Sequence, residues 1–488
     1  MKVLLINPPF KPEYGKFSRE QRSPAITKSG TFYYPMWLAY STAVLEKYGY
    51  DCKLIDAPAE RLNYEECLLR IGDFVPELIV VDTSTPSIYN DVSISANLKR
   101  KFGSFMILVG PHPSALYKET LEINKDIDAV AMREYDFIIK NLADLINAKG
   151  VNPSKDDLLK IRGIAFRKGE EIFVNEKADL TENLDEIPFV SSIYKKHLNY
   201  KNYFYAHSKY PIVTIISGRG CPYQCVYCVY PQVFNTRKVR YRNVKNVVDE
   251  MEYIINNFPD VKEIMFEDDT LTLDKNRCIE FAEEIIKRGI KIKWSANSRA
   301  DVDLETMKIL KKAGARLFCV GIESGVQEVL DSMKKNLKVE QVRQFFRDSK
   351  KAGIKIHGCF LVGNPKETRE TLEKTLSFAL ELEPDTAQFF PIMAYPGTEI
   401  YEWASHKGYL KTTNYSKWLD DCGMHNSVIS RPDLTDRELV NFCDRARKKF
   451  YLRPSYLIRK FFQGLFDSYE MKRLLKGGIN LLKSYLGR

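Results

Sequence analysis

The sequence predicts an α/β protein in three parts: a doubly wound parallel-sheet domain, a partial (βα)6 barrel of the TIM type, and a helical C-terminal region. Three observations carry this. Short apolar runs alternate with helical patterns through residues 1–150. A strand–helix unit then recurs six times within 207–412. Beyond 413 the strand pattern stops, and basic residues are interleaved with large apolar ones.

Residues 1–150 offer five strand candidates: Val3–Ile6, Cys52–Ile55, Leu78–Asp82, Phe105–Val109 and Ala129–Met132. Helical periodicity fills the intervals at Trp37–Tyr48, Tyr64–Phe74, Asn90–Phe102, Ser114–Ile123 and Asp136–Ala148. Strands alternating with helices imply a parallel sheet covered on both faces, and ligands of such sheets lie at the strands' carboxyl ends. Those ends read Asn7-Pro8-Pro9, Asp56-Ala57-Pro58, Thr83-Ser84-Thr85-Pro86 and Gly110-Pro111-His112-Pro113. No G-x-G-x-x-G follows the first strand, which speaks against a dinucleotide site.

Residues 151–206 read as a connector, with a hairpin over Ile161–Asn175 turning at Lys168-Gly169. The barrel strands expected next are Ile212–Ile216, Glu263–Phe266, Lys291–Ala296, Leu317–Gly321, Ile356–Val362 and Ala387–Ile392. Helices are expected at Val244–Asn257, Asn276–Arg288, Leu304–Ala313, Val326–Ala352 (broken near Asn336) and Arg369–Leu382. Six units do not close a barrel, so a lateral mouth is expected, and catalytic groups should cluster at strand C-termini.

The chain of 488 residues is 44% hydrophobic and 28% charged, as globular proteins are. Its ten cysteines show no small-domain disulfide framework, which points to a reducing, cytoplasmic setting. The N-terminal apolar run reads as a strand rather than a signal peptide, and no apolar run reaches membrane-spanning length. Arg445 to Arg488 holds twelve Lys/Arg and two Asp/Glu, leaving 62 residues of each sign elsewhere, so the tail alone carries the net charge of +10.

The chemistry concentrates in Cys221, Cys225 and Cys228, a C-x3-C-x2-C loop directly after the first barrel strand. A closed structural site takes four protein ligands, and no nearby Cys or His supplies the fourth. Three thiolates on a cubane leave one iron open, and an open metal position is a chemical one. Each later strand ends in its own polar segment. These are Glu267-Asp268-Asp269-Thr270, then Ser295-Ala296-Asn297-Ser298-Arg299, Gly321-Ile322-Glu323-Ser324-Gly325, Gly363-Asn364-Pro365-Lys366-Glu367-Thr368, and Tyr395-Pro396-Gly397-Thr398. A plain alternative is that Asp268 or Asp269 only caps a turn and that Tyr227 only packs beside the loop.

The cysteine loop, with these segments in this order, resembles the radical S-adenosylmethionine (SAM) enzymes. The resemblance implies a 4Fe–4S cluster on Cys221, Cys225 and Cys228 whose open iron binds SAM. It also implies reductive cleavage of SAM to a 5′-deoxyadenosyl radical that attacks unactivated carbon. It places Tyr227, Glu267, Asp268, Asp269, Asn297, Arg299, Glu323 and Gly363 around SAM. Lys366 stands where the family's G-x-P-G-E-T turn has its second glycine.

Residues 1–150 resemble the cobalamin-binding domain that precedes many such barrels. That likeness nominates Pro8, Thr83, Ser84, Thr85, Gly110 and His112 as cobalamin contacts. No D-x-H-x-x-G occurs, so no histidine ligand for cobalt is expected; a degenerate domain that merely packs on the barrel stays open as an alternative. Segments such as Tyr34-Pro35-Met36-Trp37 and Tyr230-Pro231-Gln232 resemble the hopanoid-biosynthesis members and the anaerobic magnesium-protoporphyrin ester cyclases. The resemblance implies a small-molecule, apolar substrate modified by cyclisation, rearrangement or methyl transfer. It further implies an electron donor such as flavodoxin or ferredoxin. An RNA-modifying radical SAM enzyme is the alternative of another class, and the N-terminal domain's having only Cys52 and Cys67, with a helical tail, speaks against a nucleic-acid partner. The tail packs on the barrel, makes a peripheral membrane contact, or does both.

Overall fold

The computed structural model describes residues 1–19, 22–27 and 29–466. Its first sheet holds β1 (Lys2–Asn7), β2 (Asp51–Asp56), β3 (Leu78–Asp82), β4 (Phe105–Val109) and β5 (Ala129–Ala131), all parallel, in the order β2-β1-β3-β4-β5. β3 and β4 are buried along their whole length. A strand covered on both faces must be apolar throughout, which is why Leu-Ile-Val-Val and Phe-Met-Ile-Leu-Val run unbroken. The order reverses at β1, so the crevice at Asn7 is the switch point where such sheets bind ligands.

The hairpin expected in the connector forms, as β6 (Ile164–Lys168) and β7 (Glu171–Val174). It is not a free connector, because β6 runs antiparallel beside β5 and extends the first sheet to seven strands. Pairing of β5's outer edge, with burial of Ile164, Ala165 and Phe166, drives this. The sequence also gave no sign of the short helix Val190–His197, whose Ser191 donates from both N and Oγ to Glu250 Oε1 (3.1 and 2.9 Å) and ties the connector to the barrel.

The second sheet contains β8 (Ile212–Ile215) and, after an antiparallel clip of β9 (Gly218–Arg219) with β10 (Arg240–Tyr241), β11 (Glu263–Phe266), β12 (Lys293–Ser298), β13 (Ala315–Glu323), β14 (Lys355–Val362) and β15 (Thr386–Pro391). Its order, β8-β11-β12-β13-β14-β15, is parallel throughout. β12 runs past the expected end because Asn297 and Ser298 pair with Cys319 and Val320. The helical run expected over 326–352 is two helices, Gln327–Ser332 and Val339–Ala352. Lys334 and Asn336 lie between them at φ 52° and 51°, backbone that ends a helix.

The six strands leave β8 and β15 as edges. Helix Asp436–Tyr451 covers β15: the Tyr451 hydroxyl donates to Ala387 O (2.7 Å) and accepts from Ala387 N (2.9 Å), and Arg447 Nη1 donates to Phe389 O (3.0 Å). These side chains satisfy an edge that would otherwise be open to pairing, so the expected lateral mouth is shut on that side. The C-terminal region is less helical than the sequence suggests. Residues 413–435 hold only the 3-10 turn Tyr415–Trp418 and isolated bridges, and helices run Asp436–Tyr451 and Pro454–Phe466. The tail residues 467–488 lie outside the described residues. Among the described residues no helix is long and apolar enough to cross a membrane.

The domains are joined by a buried ion network. Arg219, 1% exposed, donates from Nη1 to Asp136 Oδ2 (2.5 Å) and Glu134 Oε2 (3.1 Å), and its guanidinium lies 4.8 Å over Trp37. Arg240 pairs with Glu134 and donates to Thr181 O (2.9 Å).

Candidate active site

The cysteine loop begins where β8 ends. Gly220 has φ +94°, and a Cβ there would sit 2.2 Å from Lys238 O, so only glycine allows the chain to enter the loop. Cys221 N donates to Thr236 O (3.1 Å) and Val226 N to Met333 O (3.1 Å). Gln232, which the sequence reading noted only as part of a likeness, ties the loop together. Its Nε2 donates to the carbonyls of Cys225 (3.2 Å), Val226 (3.1 Å) and Cys228 (2.9 Å), and its Oε1 accepts from Glu399 N (3.0 Å).

Burial, with the charge of Asp269 next, raises the Cys221 and Cys228 thiols, and the loop cysteines repel one another's charge. The bare loop therefore favours neutral thiols, and a metal's positive charge is what draws them to thiolates. Among the described residues no three Cys, His, Asp or Glu groups gather on a single ion. Three soft sulfur donors in one loop fit an iron–sulfur cluster, which takes one thiolate per iron.

The acidic segment divides its labour. Glu267 Oε2 accepts from Asn297 Nδ2 (2.9 Å) and Arg22 Nη1 (3.2 Å). Asp269 Oδ1 accepts from Arg22 Nη2 (3.1 Å), while its Oδ2 accepts from Gly220 N and Asn235 Nδ2, both at 3.0 Å. Arg22 comes from the N-terminal part, stacks 4.2 Å over Tyr230 and spans the two carboxylates; sequence reasoning missed it, as nothing local marks it. Asp268 turns away. It accepts from Ser217 N (2.9 Å) and Oγ (2.7 Å), and burial pushes it up to about 6.

Glu323 sits at φ +67° where β13 shifts register, and accepts from Lys335 Nζ (2.8 Å) and the Tyr227 hydroxyl (2.8 Å). Lys335 is a second missed residue. Burial opposes its charge, but Glu323 beside it holds the ammonium above its ordinary range. Arg299 donates to the carbonyls of Lys335 (2.9 Å) and Asn336 (3.0 Å), pairs with Asp301 and stacks 3.5 Å over Tyr223. It braces the turn that carries Lys335. Gly363 N donates to Glu367, whose carboxyl burial pushes up to about 7; Arg431 closes this turn through Asn364 O (2.8 Å) and Pro365 O (2.9 Å). Glu367 and Arg431 thus fix the turn despite Lys366 in place of glycine.

At the first sheet, Thr83, Ser84, Thr85, Gly110 and His112 come together but are engaged with protein. Thr83 Oγ1 donates to Asp91 Oδ2 (2.8 Å), Ser84 Oγ bonds Ser87 Oγ (2.8 Å), and Thr85 Oγ1 bonds His112 Nδ1 (3.2 Å). A Cβ on Gly110 would sit 2.5 Å from Thr83 O. Burial lowers His112 to about 3, and the Tyr415 ring covers it edge-on at 4.9 Å; Pro8 is buried as well. The turn Tyr415–Trp418 packs over these residues, which sequence could not foresee. The cavity lies beside them. Asn7, Arg19 and Asp82 line it from the first domain, and Thr214, Tyr230 and Glu267 from the barrel.

Two family models match this chain: the radical SAM superfamily over residues 215–379 and the B12 binding domain over residues 22–142. An uncharacterized methyltransferase of Pyrococcus horikoshii is 30% identical over 487 residues, covering 99% of each chain. The chain belongs to the cobalamin-binding radical SAM enzymes. Its cofactors are a 4Fe–4S cluster, SAM and cobalamin. An anaerobic magnesium-protoporphyrin IX monomethyl ester cyclase of Cereibacter sphaeroides is 28% identical over 428 residues, 86% of this chain and 67% of that protein. Among solved structures, the radical SAM methyltransferase TsrM of Kitasatospora setae, with cobalamin and a 4Fe–4S cluster bound, shares the fold. Its TM-score is 0.69 over 93% of this chain and 89% of that one, at 17% identity.

For this radical SAM enzyme the inter-domain cavity is lined by polar side chains from both domains. Asn7 and Arg19 line it, and Asn7 Oδ1 and Arg19 Nη1 are buried without a hydrogen-bond partner. Unpaired buried polar atoms are costly unless a ligand satisfies them. Asn7 and Arg19 would face cobalamin there, beside the buried Thr83–Thr85 and His112.

Proposed function

We propose that this enzyme transfers a methyl group from SAM to a carbon atom of a small molecule. The observation that carries the reading is the single cavity bounded both by the switch point of the cobalamin-binding domain and by the barrel ends that bear Thr214 and Glu267. Cobalamin, when bound, supplies a metal centre that accepts and releases a methyl group. The relative that spans the whole chain, named a methyltransferase, supports the same reading. A one-electron donor such as flavodoxin or ferredoxin belongs to the proposal.

The apolar substrate expected from the sequence gains no support from the barrel interior. Side chains alternate along each strand, and the face of β13 that bears Glu323 also bears Cys319 and Gly321. Alongside it β14 places His357 and Cys359, and β15 places Thr386 and Gln388; Gln388 is exposed and the other three are partly accessible. His207 bonds Cys319 Sγ (3.3 Å) and stacks on His357 (5.0 Å). Such a lining suits a substrate that carries hydrogen-bonding groups. The test is SAM with a deuterated methyl group. Methyl transfer through cobalamin yields S-adenosylhomocysteine together with 5′-deoxyadenosine, and label in the product. 5′-Deoxyadenosine alone, with no label transferred, would instead mark a cyclase or rearranging enzyme.

Within this reading Cys221, Cys225 and Cys228 hold the cluster. Glu267 and Asp269 receive the SAM ammonium, with Asn297 orienting Glu267. Glu323, fixed by Lys335 and Tyr227, and the Gly363 turn meet the nucleoside. Asp268 and Arg299 shape the loops. Arg22 then occupies the ammonium's place and has to yield to it. Arg22→Ala is expected to tighten SAM binding about tenfold, since charge-assisted hydrogen bonds of roughly 1.5–3 kcal/mol no longer compete. Calorimetry that shows weaker binding would make Arg22 a SAM ligand instead.

A further inference from the structure

The last described helix, Pro454–Phe466, is docked the wrong way round for a helix in water. Its inward row is Tyr456, Lys460 and Gly464. The Tyr456 hydroxyl donates to Asp385 O (3.0 Å), Lys460 Nζ lies 3.6 Å from Asp385 Oδ1 at 2% side-chain exposure, and Arg459 Nη1 lies 3.5 Å from Glu383 Oε2. Its outward row is Leu457, Ile458, Phe461, Phe462 and Leu465, each 50–58% exposed. Amphipathic helices normally bury the apolar row and leave the cations in water. Here the cations anchor the helix to the start of β15, and five large apolar side chains form one contiguous face outward. Scattered exposed apolar residues are ordinary, but a contiguous strip of this kind marks a contact surface.

We propose that this face seats on an anionic lipid surface, with Phe461 and Phe462 entering the headgroup–acyl boundary. Charge selects this occupant. The whole net charge of +10 falls within 445–488, and the sequence after Phe466 holds Lys472, Arg473, Lys476, Lys483 and Arg488 against Asp467 and Glu470. A strip made only to be covered by the chain's own remainder, or by a second copy, has no use for that excess, which would repel itself in a dimer. An apolar face beside dense basic charge is what binds peripheral proteins to anionic bilayers.

The test uses the full chain, sedimented with vesicles of phosphatidylcholine alone or mixed with phosphatidylglycerol. Binding should be at least about tenfold stronger on the anionic vesicles. It should weaken steeply from about 0.1 M to about 1 M salt, as the screening length falls from about 10 Å to about 3 Å. A Phe461→Glu, Phe462→Glu variant, altered only at exposed positions, should keep its circular dichroism and lose that binding at least about tenfold. Equal binding to both vesicle types would overturn the proposal. So would a monomer that binds neither, which would leave residues 467–488 as the cover, and so would a dimer that the double variant dissociates, which would make the strip a subunit interface.

Discussion

Replacing Cys221, Cys225 and Cys228 together by alanine should leave a folded protein that holds no iron and cleaves no SAM. The native chain, reconstituted anaerobically, should carry about four irons and release 5′-deoxyadenosine on reduction. The fold should survive because the loop is held by groups other than the thiols. Gln232 Nε2 grips three of its carbonyls, and backbone bonds run from Cys221 N to Thr236 O and from Val226 N to Met333 O. Iron content, the electron paramagnetic resonance signal of the reduced protein and circular dichroism read the outcome. A triple variant that retained a full cluster would show that other ligands hold it.

The largest expected loss of stability is at Arg219→Ala. Its guanidinium is fully buried between Asp136, Glu134 and the Trp37 ring, where the first domain meets the entry to the cysteine loop. Removing Arg219 leaves Asp136 without its cation, while Glu134 keeps Arg240; breaking a buried pair costs about 3–5 kcal/mol, a drop in thermal midpoint of about 3–5 °C for a chain of this length. Because Arg219 directly precedes Gly220, the variant should also take up less iron. Differential scanning calorimetry of the unloaded protein isolates the first effect. A midpoint within a degree or so of the native one would mean that the domains are held together elsewhere.

Much of the site was legible because chemistry and spacing are local properties. Three cysteines within eight residues and a polar segment after each apolar strand need no tertiary information to be recognised. The strands themselves were legible for the same reason, since a doubly covered parallel strand is an unbroken apolar run. What escaped was of a different kind. Arg22 reaches Glu267 and Asp269 across about half the chain, Lys335 reaches Glu323 around a turn, and Tyr415 covers His112 from the far end of the sequence. Asp268 and Asp269 are adjacent and chemically identical, yet one faces Ser217 and the other faces Arg22. Only the direction in which each side chain leaves the end of β11 separates them.

The sequence alone determined the two α/β units, the cysteine loop and its chemistry, and the location of the excess positive charge. These follow from periodicity, ligand type and composition, which are written residue by residue. The tertiary structure decided which residues border the inter-domain cavity, which carboxylates point into the site, and that the last helix turns its apolar face outward. Those outcomes depend on packing between segments hundreds of residues apart. There, burial and hydrogen-bond satisfaction select one arrangement among many that the local sequence permits.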